Sequence, residues 1–83
     1  PNPFNPATFI QIEIKNREDV IIEIFDARGS FVKTIFSGFL DRGIHKFRWN
    51  ATGSDGIEVG SGVYIYTIKS NSVLLSKKIV FAK

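Results

Sequence analysis

Apolar and polar residues alternate with a period of two along most of the chain, which is typical of β-strands with one buried face. In residues 8–15, for example, each isoleucine is followed by a polar residue. The pattern predicts strands at 8–15, 20–25, 31–36, 44–49, 63–69 and 73–81, and a short edge segment at 57–59. Since these short strands are separated by turn-forming residues, we predict an all-β fold, an antiparallel immunoglobulin-like β-sandwich of six to seven short strands.

A turn is expected between the second and third strands, from Asp26 to Gly29. Aspartate suits the first turn position because its side chain accepts hydrogen bonds from nearby backbone amides, and glycine suits the last. The third strand has irregular apolar spacing, which predicts a β-bulge. Residues 37–43 are expected to form a loop before the fourth strand.

The fifth strand is rich in β-branched and aromatic residues and is expected to be central in a sheet. We expect Val63 and Ile65 to face the core. Tyr64 and Tyr66 are then expected on the opposite, partly exposed face. The single tryptophan, Trp49, is expected at the centre of the core between the sheets.

The chain length of 83 residues is enough for one domain. A content of 43% hydrophobic and 23% charged residues excludes a disordered tail. All three prolines lie in the first six residues, so we predict a stiff, extended lead-in at 1–7, pinned by Phe4, and a sandwich domain at 8–83. Because the chain starts with Pro1 and has no methionine, we interpret it as a piece of a longer protein.

The composition argues against enzymatic chemistry. The absence of cysteine excludes disulfides, cysteine-ligated zinc and thiol catalysis, and the single histidine, His45, excludes a multi-histidine metal site. The net charge of +3 is spread along the chain among eight acidic residues, whereas nucleic-acid binders cluster their positive charge. No apolar run approaches the roughly 18 residues of a membrane span. We therefore expect no catalytic residue, cofactor, metal, nucleic-acid partner or membrane span.

Two short polar motifs resemble ligand loops only superficially. The segment 54–56, Ser-Asp-Gly, lacks the alternating oxygen ligands and final glutamate of an EF-hand. The segment 60–62, Gly-Ser-Gly, leads into a strand, whereas a phosphate-binding glycine loop leads into a helix. We therefore interpret both as structural turns.

Six motifs follow one another along the chain. They are the Pro1–Pro6 lead-in, the Phe25–Gly29 turn, the pair Val32 and Ile35, the segments Gly43–Trp49 and Val59–Tyr66, and the terminal Lys78–Lys83. In this order they resemble the type A C-terminal sorting domain of type IX secretion cargo proteins and its relative, the immunoglobulin-like domain of the flagellar hook-capping protein. Asn50 departs from this family, which often has aspartate after the tryptophan. The structural motif residues are Pro1, Pro3, Phe4, Pro6, Asp26, Gly29, Gly43, Trp49, Gly62 and Tyr64.

The resemblance implies a non-enzymatic sorting and anchoring domain at the C-terminus of an exported protein of a Gram-negative-type bacterium. Such a domain passes through the periplasm to the cell surface or the medium. The implied partners are outer-membrane secretion and surface-attachment proteins, and cargo domains N-terminal to it in the same polypeptide. A terminal strand can be recognised when its backbone pairs with a receptor edge. The residues predicted for this recognition are Lys78, Ile79, Val80, Phe81 and Lys83.

Three other interpretations stay open. The terminal lysines also suit a purely protective role, in which edge charges prevent aggregation. The domain is alternatively an immunoglobulin-like structural spacer or assembly module of a multidomain extracellular enzyme, adhesin or filament. A carbohydrate-binding surface formed by Tyr64, Tyr66 and Trp49 is less favoured, because Trp49 is expected to be buried.

Overall fold

The computed structural model describes residues 8–82, and this part of the chain contains six β-strands. Their bounds are Thr8–Ile14 (β1), Glu18–Asp26 (β2), Phe31–Leu40 (β3), Gly43–Trp49 (β4), Gly62–Lys69 (β5) and Leu74–Phe81 (β6). The predicted lead-in at 1–7, with Pro1, Pro3, Phe4 and Pro6, lies outside the described residues, as does Lys83.

The six strands form two antiparallel sheets. Strands β1 and β4 form a two-stranded sheet, in which Thr8 lies opposite Trp49 and Ile14 opposite Gly43. The other sheet has four strands in the order β3-β2-β5-β6. This arrangement confirms the expected all-β, immunoglobulin-like sandwich.

The core lies between the sheets and is built from alternate residues of the strands. Its buried members are Ile10, Ile12, Ile14, Val20, Ile22, Ile24, Leu40, Trp49, Ala51, Tyr64, Tyr66, Ile68, Ile79 and Phe81. No charged residue among residues 8–82 is buried. Burial of apolar surface, worth about 25 cal/mol per Å², is therefore the main stabilising contribution.

Trp49 lies in this core with 1% of its surface exposed, as expected. Its ring packs edge-on against Tyr64, with 5.3 Å between the ring centroids. Its indole N–H donates a 2.8 Å hydrogen bond to the backbone carbonyl of Thr52, so the one polar atom of the side chain has a partner.

The predicted loop at 37–43 is wrong for its first four residues, because β3 continues to Leu40. The nine-residue β2 provides backbone partners for this extension, with Val20 opposite Gly38 and Glu18 opposite Leu40. Gly38 has a φ of 151°, which glycine adopts without strain, and Leu40 is anchored by burial. The predicted bulge is confirmed by two register shifts in the β2–β3 ladder.

The predicted orientation of β5 is also wrong. Tyr64 and Tyr66 face the core, whereas Val63 and Ile65 lie on the outer face of the sheet. Tyr66 pairs with Ile24 of β2, and opposed residues in a ladder share a face, so the inward face of β2 sets that of β5. Because both faces of β5 are apolar or aromatic, alternation alone does not distinguish them.

The short edge segment expected at 57–59 is reduced to a single bridge between Thr52 and Glu58. Ile57 is exposed rather than packed into a sheet. This segment is therefore a loop that one backbone pairing holds in place.

Candidate interaction surface

Strand β6 forms one edge of the four-stranded sheet. Among residues 8–82 it pairs with β5 alone, from Phe81 opposite Gly62 to Leu74 opposite Lys69. Alternate backbone N–H and C=O groups of an antiparallel strand point away from its partner. The far side of β6 therefore presents a row of backbone groups to which another extended segment can add.

The predicted recognition residues on β6 divide into two sets. Ile79 and Phe81 face the core, and each is 7% exposed. Val80 is 70% exposed, and Lys78 is also exposed on the same outer face of the sheet. Of the four predicted residues that the structure describes, Lys78 and Val80 are therefore the ones accessible to a partner of the folded domain, and their role in recognition stays a prediction.

Lys77 is absent from the predicted recognition residues, yet it is exposed, as Lys78 is. Lys77 lies opposite Tyr66 and Lys78 opposite Ile65, so the two ammonium groups leave opposite faces of β6. Both side chains are exposed. The middle of the edge therefore carries positive charge on both sides of the strand.

Exposed and half-buried apolar residues lie together on the outer face of the four-stranded sheet, up to β6. The ladders place Phe31 beside Phe25, Phe25 beside Ile65, and Val63 beside Val80. We call these five residues the outer-face patch. The rings of Phe25 and Phe31 pack edge-on, 6.1 Å apart. A contiguous apolar patch with exposed members is typical of a contact surface in a soluble protein.

The sequence analysis missed this patch because it assigned Val63 and Ile65 to the core. A signal was nevertheless present in β2, where Phe25 occupies the face that Glu23 shares, opposite the buried isoleucines. Phe25 and Ile21 on the outward face of β2, next to a strand apolar on both faces, indicate a surface that is not wholly solvated.

The Asp26–Gly29 turn has a structural role. The carboxylate of Asp26 accepts 2.9 Å hydrogen bonds from the backbone amides of Arg28 and Ser30, which confirms the expected cap. These hydrogen bonds, chiefly that from Ser30, lower the pKa of the Asp26 carboxyl. Gly29 has a φ of 89°, which favours glycine. Of the other motif residues, Gly43 and Gly62 begin β4 and β5.

The side chains of the histidine and the acidic residues within 8–82 lie apart from one another. His45 lies 2.7 Å from the backbone carbonyl of Asp41, through Nε2, and forms no ion pair with an aspartate among residues 8–82. No group of three His, Asp or Glu residues within 8–82 is placed to hold a metal ion. No helix in this part of the chain is suitable for spanning a membrane. Because Trp49, Tyr64 and Tyr66 are buried, the proposed carbohydrate platform is wrong.

An open polar groove lies at the end of the sandwich near the β1–β2 and β5–β6 turns. It has a volume of about 560 Å³, and Glu18 and Ser72 are among its lining residues. The Glu18 carboxylate accepts hydrogen bonds of 2.7 and 2.9 Å from the Ser72 hydroxyl, which lower its pKa. The Glu18 carboxylate therefore links the start of β2 to the β5–β6 turn.

The chain was compared with known proteins. Residues 5–73 match the family model described as the FlgD Ig-like domain. No curated protein matches the chain. The match covers β1 to β5 and ends one residue before β6, so it supports the fold and is silent about the terminal strand. Because the match covers most of the sequence, the chain belongs to the FlgD Ig-like domain family.

Proposed function

We propose that this domain is a non-catalytic sorting and anchoring module of an exported bacterial protein, recognised by type IX secretion machinery through β6 and the adjoining outer face. The observation that supports it is the edge position of β6, where exposed Lys78 lies next to the outer-face patch and exposed Val80 belongs to it. A receptor strand that adds to this edge contacts both residues at once. The partners are then outer-membrane secretion and surface-attachment proteins, acting on cargo domains of the same polypeptide.

Deleting the end of β6 is a poor test of this function. Such a deletion removes Ile79 and Phe81, which belong to the core, so the truncated domain is expected to unfold. Failed export would then report misfolding. A surface variant that leaves the core intact is required.

The chain offers a matched pair of surface variants. Lys78→Glu with Val80→Asp changes the outer face of β6. Lys46→Glu with Ile44→Asp makes the corresponding changes of charge on β4 of the other sheet, where Ile44 is 68% exposed against 70% for Val80. Both variants change the net charge equally, and neither alters a buried residue.

The test is export of a passenger protein fused to the domain in a type IX-competent cell. We expect the unmodified domain and the β4 variant to deliver the passenger to the surface or medium, and the β6 variant to leave it in the periplasm. Thermal unfolding of the purified variants checks that both are folded. Equal export of the two variants, or failure of the unmodified domain to direct export, would contradict the proposed function.

The family match favours a second candidate, an immunoglobulin-like structural or assembly module. The FlgD Ig-like family is named for a flagellar protein, and the outer-face patch is suited to packing against a neighbouring subunit or domain. In this case Phe31→Ser, which alters the patch far from β6, should impair assembly of the parent protein and leave export unchanged. Sedimentation of the assembled parent protein, compared with passenger export, distinguishes the two functions.

A further inference from the structure

The middle of β6 is positively charged on both faces, and this charge disfavours pairing of β6 with a second copy of itself. Consider two copies of β6 paired antiparallel over their whole length. Lys77 of each copy then lies opposite Lys78 of the other, which gives two pairs of like charges. A shift of one residue either way places Lys77 opposite Lys77, or Lys78 opposite Lys78. Like charges directly opposite in a ladder are destabilising, so these three antiparallel registers are disfavoured.

The same two lysines favour a partner of opposite charge. They are consecutive and lie on opposite faces, so the residues opposite them in a pairing strand are consecutive as well. On either side of the lysines, β6 has mainly apolar residues, with Leu74 and Val80 exposed. Opposite charges and β-branched pairs across a ladder are each stabilising.

We propose that the edge of β6 binds an extended, acidic strand, with two consecutive acidic residues opposite Lys77 and Lys78 and β-branched residues on each side. This deepens the proposed function, because it rests on β6 as the recognition element and names the chemistry of its partner. The backbone ladder provides the binding, and the two charge pairs select the acidic strand and fix its register.

A peptide titration tests this inference on the full chain. The probe is a blocked peptide of alternating valine and threonine with two central glutamates, and the comparison peptide has two lysines there. NMR amide shifts and hydrogen exchange report binding. We expect the alternate amides of β6 that point away from β5 to become protected, and the glutamate peptide to bind about tenfold more tightly at low salt, with the preference reduced at high salt.

A charge-reversal variant shows whether the lysines cause the preference. With Lys77→Glu and Lys78→Glu, the lysine peptide should become the tighter ligand, by a similar factor. The matched control, Lys46→Glu with Arg48→Glu on β4, changes the net charge equally and should keep the preference for glutamate. Reversal in both variants would reduce the effect to net charge and overturn the inference.

Self-association provides a second measurement. Replacing both lysines with Lys77→Thr and Lys78→Thr removes the repulsion, so sedimentation should show dimers that the unmodified chain and a Lys46→Thr, Arg48→Thr control do not form. Two results would overturn the inference: dimers of the unmodified chain that form through β6, or protection of the β6 edge amides in the absence of peptide. Either would show that something else occupies the edge.

The export assay is independent of these measurements. A domain that binds the acidic peptide but exports no passenger contradicts the sorting function alone.

Discussion

Strand β5 has bulky residues on both faces, and the two faces have different environments. On the inner face, Tyr64 and Tyr66 are 8% and 9% exposed. On the outer face, Val63 is 38% exposed although its side chain has no polar atom. The difference arises because the two-stranded sheet lies over the inner face, while no strand of residues 8–82 lies over the outer one.

This comparison shows that burial in this domain follows sheet position rather than residue hydrophobicity. Tyrosine has a large ring that fills the inter-sheet space and a hydroxyl that reaches a polar partner or the surface. The hydroxyl of Tyr64 reaches a polar partner: it donates a 2.6 Å hydrogen bond to the carbonyl of Gly60. The inner face therefore stabilises the fold, and the outer face is free to make contacts.

The largest expected effect comes from the centre of the inner face. Trp49→Ala should lower the free energy of unfolding by about 3–5 kcal/mol, because it removes a buried ring and leaves a cavity. Urea denaturation followed by tyrosine fluorescence or circular dichroism measures the loss. A change below about 1 kcal/mol would mean that the tryptophan is not in the core.

A smaller effect is expected away from both faces, in the β2–β3 turn. Gly29→Ala should cost about 1–2 kcal/mol, since alanine is strained at a φ of 89°, although no atom lies within 4 Å of the added methyl group. Gly60→Ala is the matched control, because that site is equally open and its φ is not in the left-handed region. Equal unfolding temperatures of the two variants would contradict the strain argument.

The two inner-face tyrosines are expected to differ in the value of their hydroxyl groups. Tyr64→Phe should cost about 1 kcal/mol, because it removes the hydrogen bond to Gly60. Tyr66→Phe should change stability by less, since its hydroxyl has no partner among residues 8–82 and burial raises its pKa. Thermal unfolding of the pair checks this, and a greater loss in the Tyr66 variant would contradict it.

Stability should also depend on pH through two carboxyl groups at strand ends. Hydrogen bonds, chiefly from the Ser72 hydroxyl to Glu18 and from the Ser30 amide to Asp26, lower the pKa values of these carboxyls below the ordinary values of 4.5 and 3.8. A carboxyl with a lowered pKa stabilises the fold above its unfolded pKa, and that contribution is lost as pH falls through the folded value. We expect the urea midpoint to be constant near neutral pH and to fall below about pH 4. Glu18→Gln with Asp26→Asn should flatten this fall, and an unchanged slope would exclude these groups as its source.

The smallest effect is expected on the outer face. Val80→Thr should change the free energy of unfolding by less than about 0.5 kcal/mol, because the side chain is already mostly in water. A loss comparable to that of Tyr64→Phe would show that the outer face is covered in the folded protein, and would contradict the comparison of the two faces.

Much of the fold follows from local sequence patterns. Alternation in β1 predicts the buried Ile10, Ile12 and Ile14 because the residues between them are polar. The Asp26–Gly29 turn follows from side-chain chemistry within five residues. By contrast, the end of β3 at Leu40 depends on pairing with β2, a contact distant in sequence, and the serine and glycine before it are typical of a loop.

The candidate site was predictable only in part. A terminal strand with edge lysines is visible in the sequence, and so is its suitability for pairing. The accessibility of Lys77, Lys78 and Val80, and the burial of Ile79 and Phe81, depend on which face the second sheet covers. Since a shift of one residue exchanges the faces of a strand, an apolar segment does not itself specify its orientation.

The sequence by itself determined the approximate positions of the six strands, the Asp26–Gly29 turn and the residue at the centre of the core, because these depend on neighbouring residues and on hydrophobic content. The tertiary structure decided the order of strands in each sheet, the inward direction of Tyr64 and Tyr66, and the position of β6 at an edge. These depend on ladders between residues far apart in the chain, where burial of one face against the other sheet outweighs local preference.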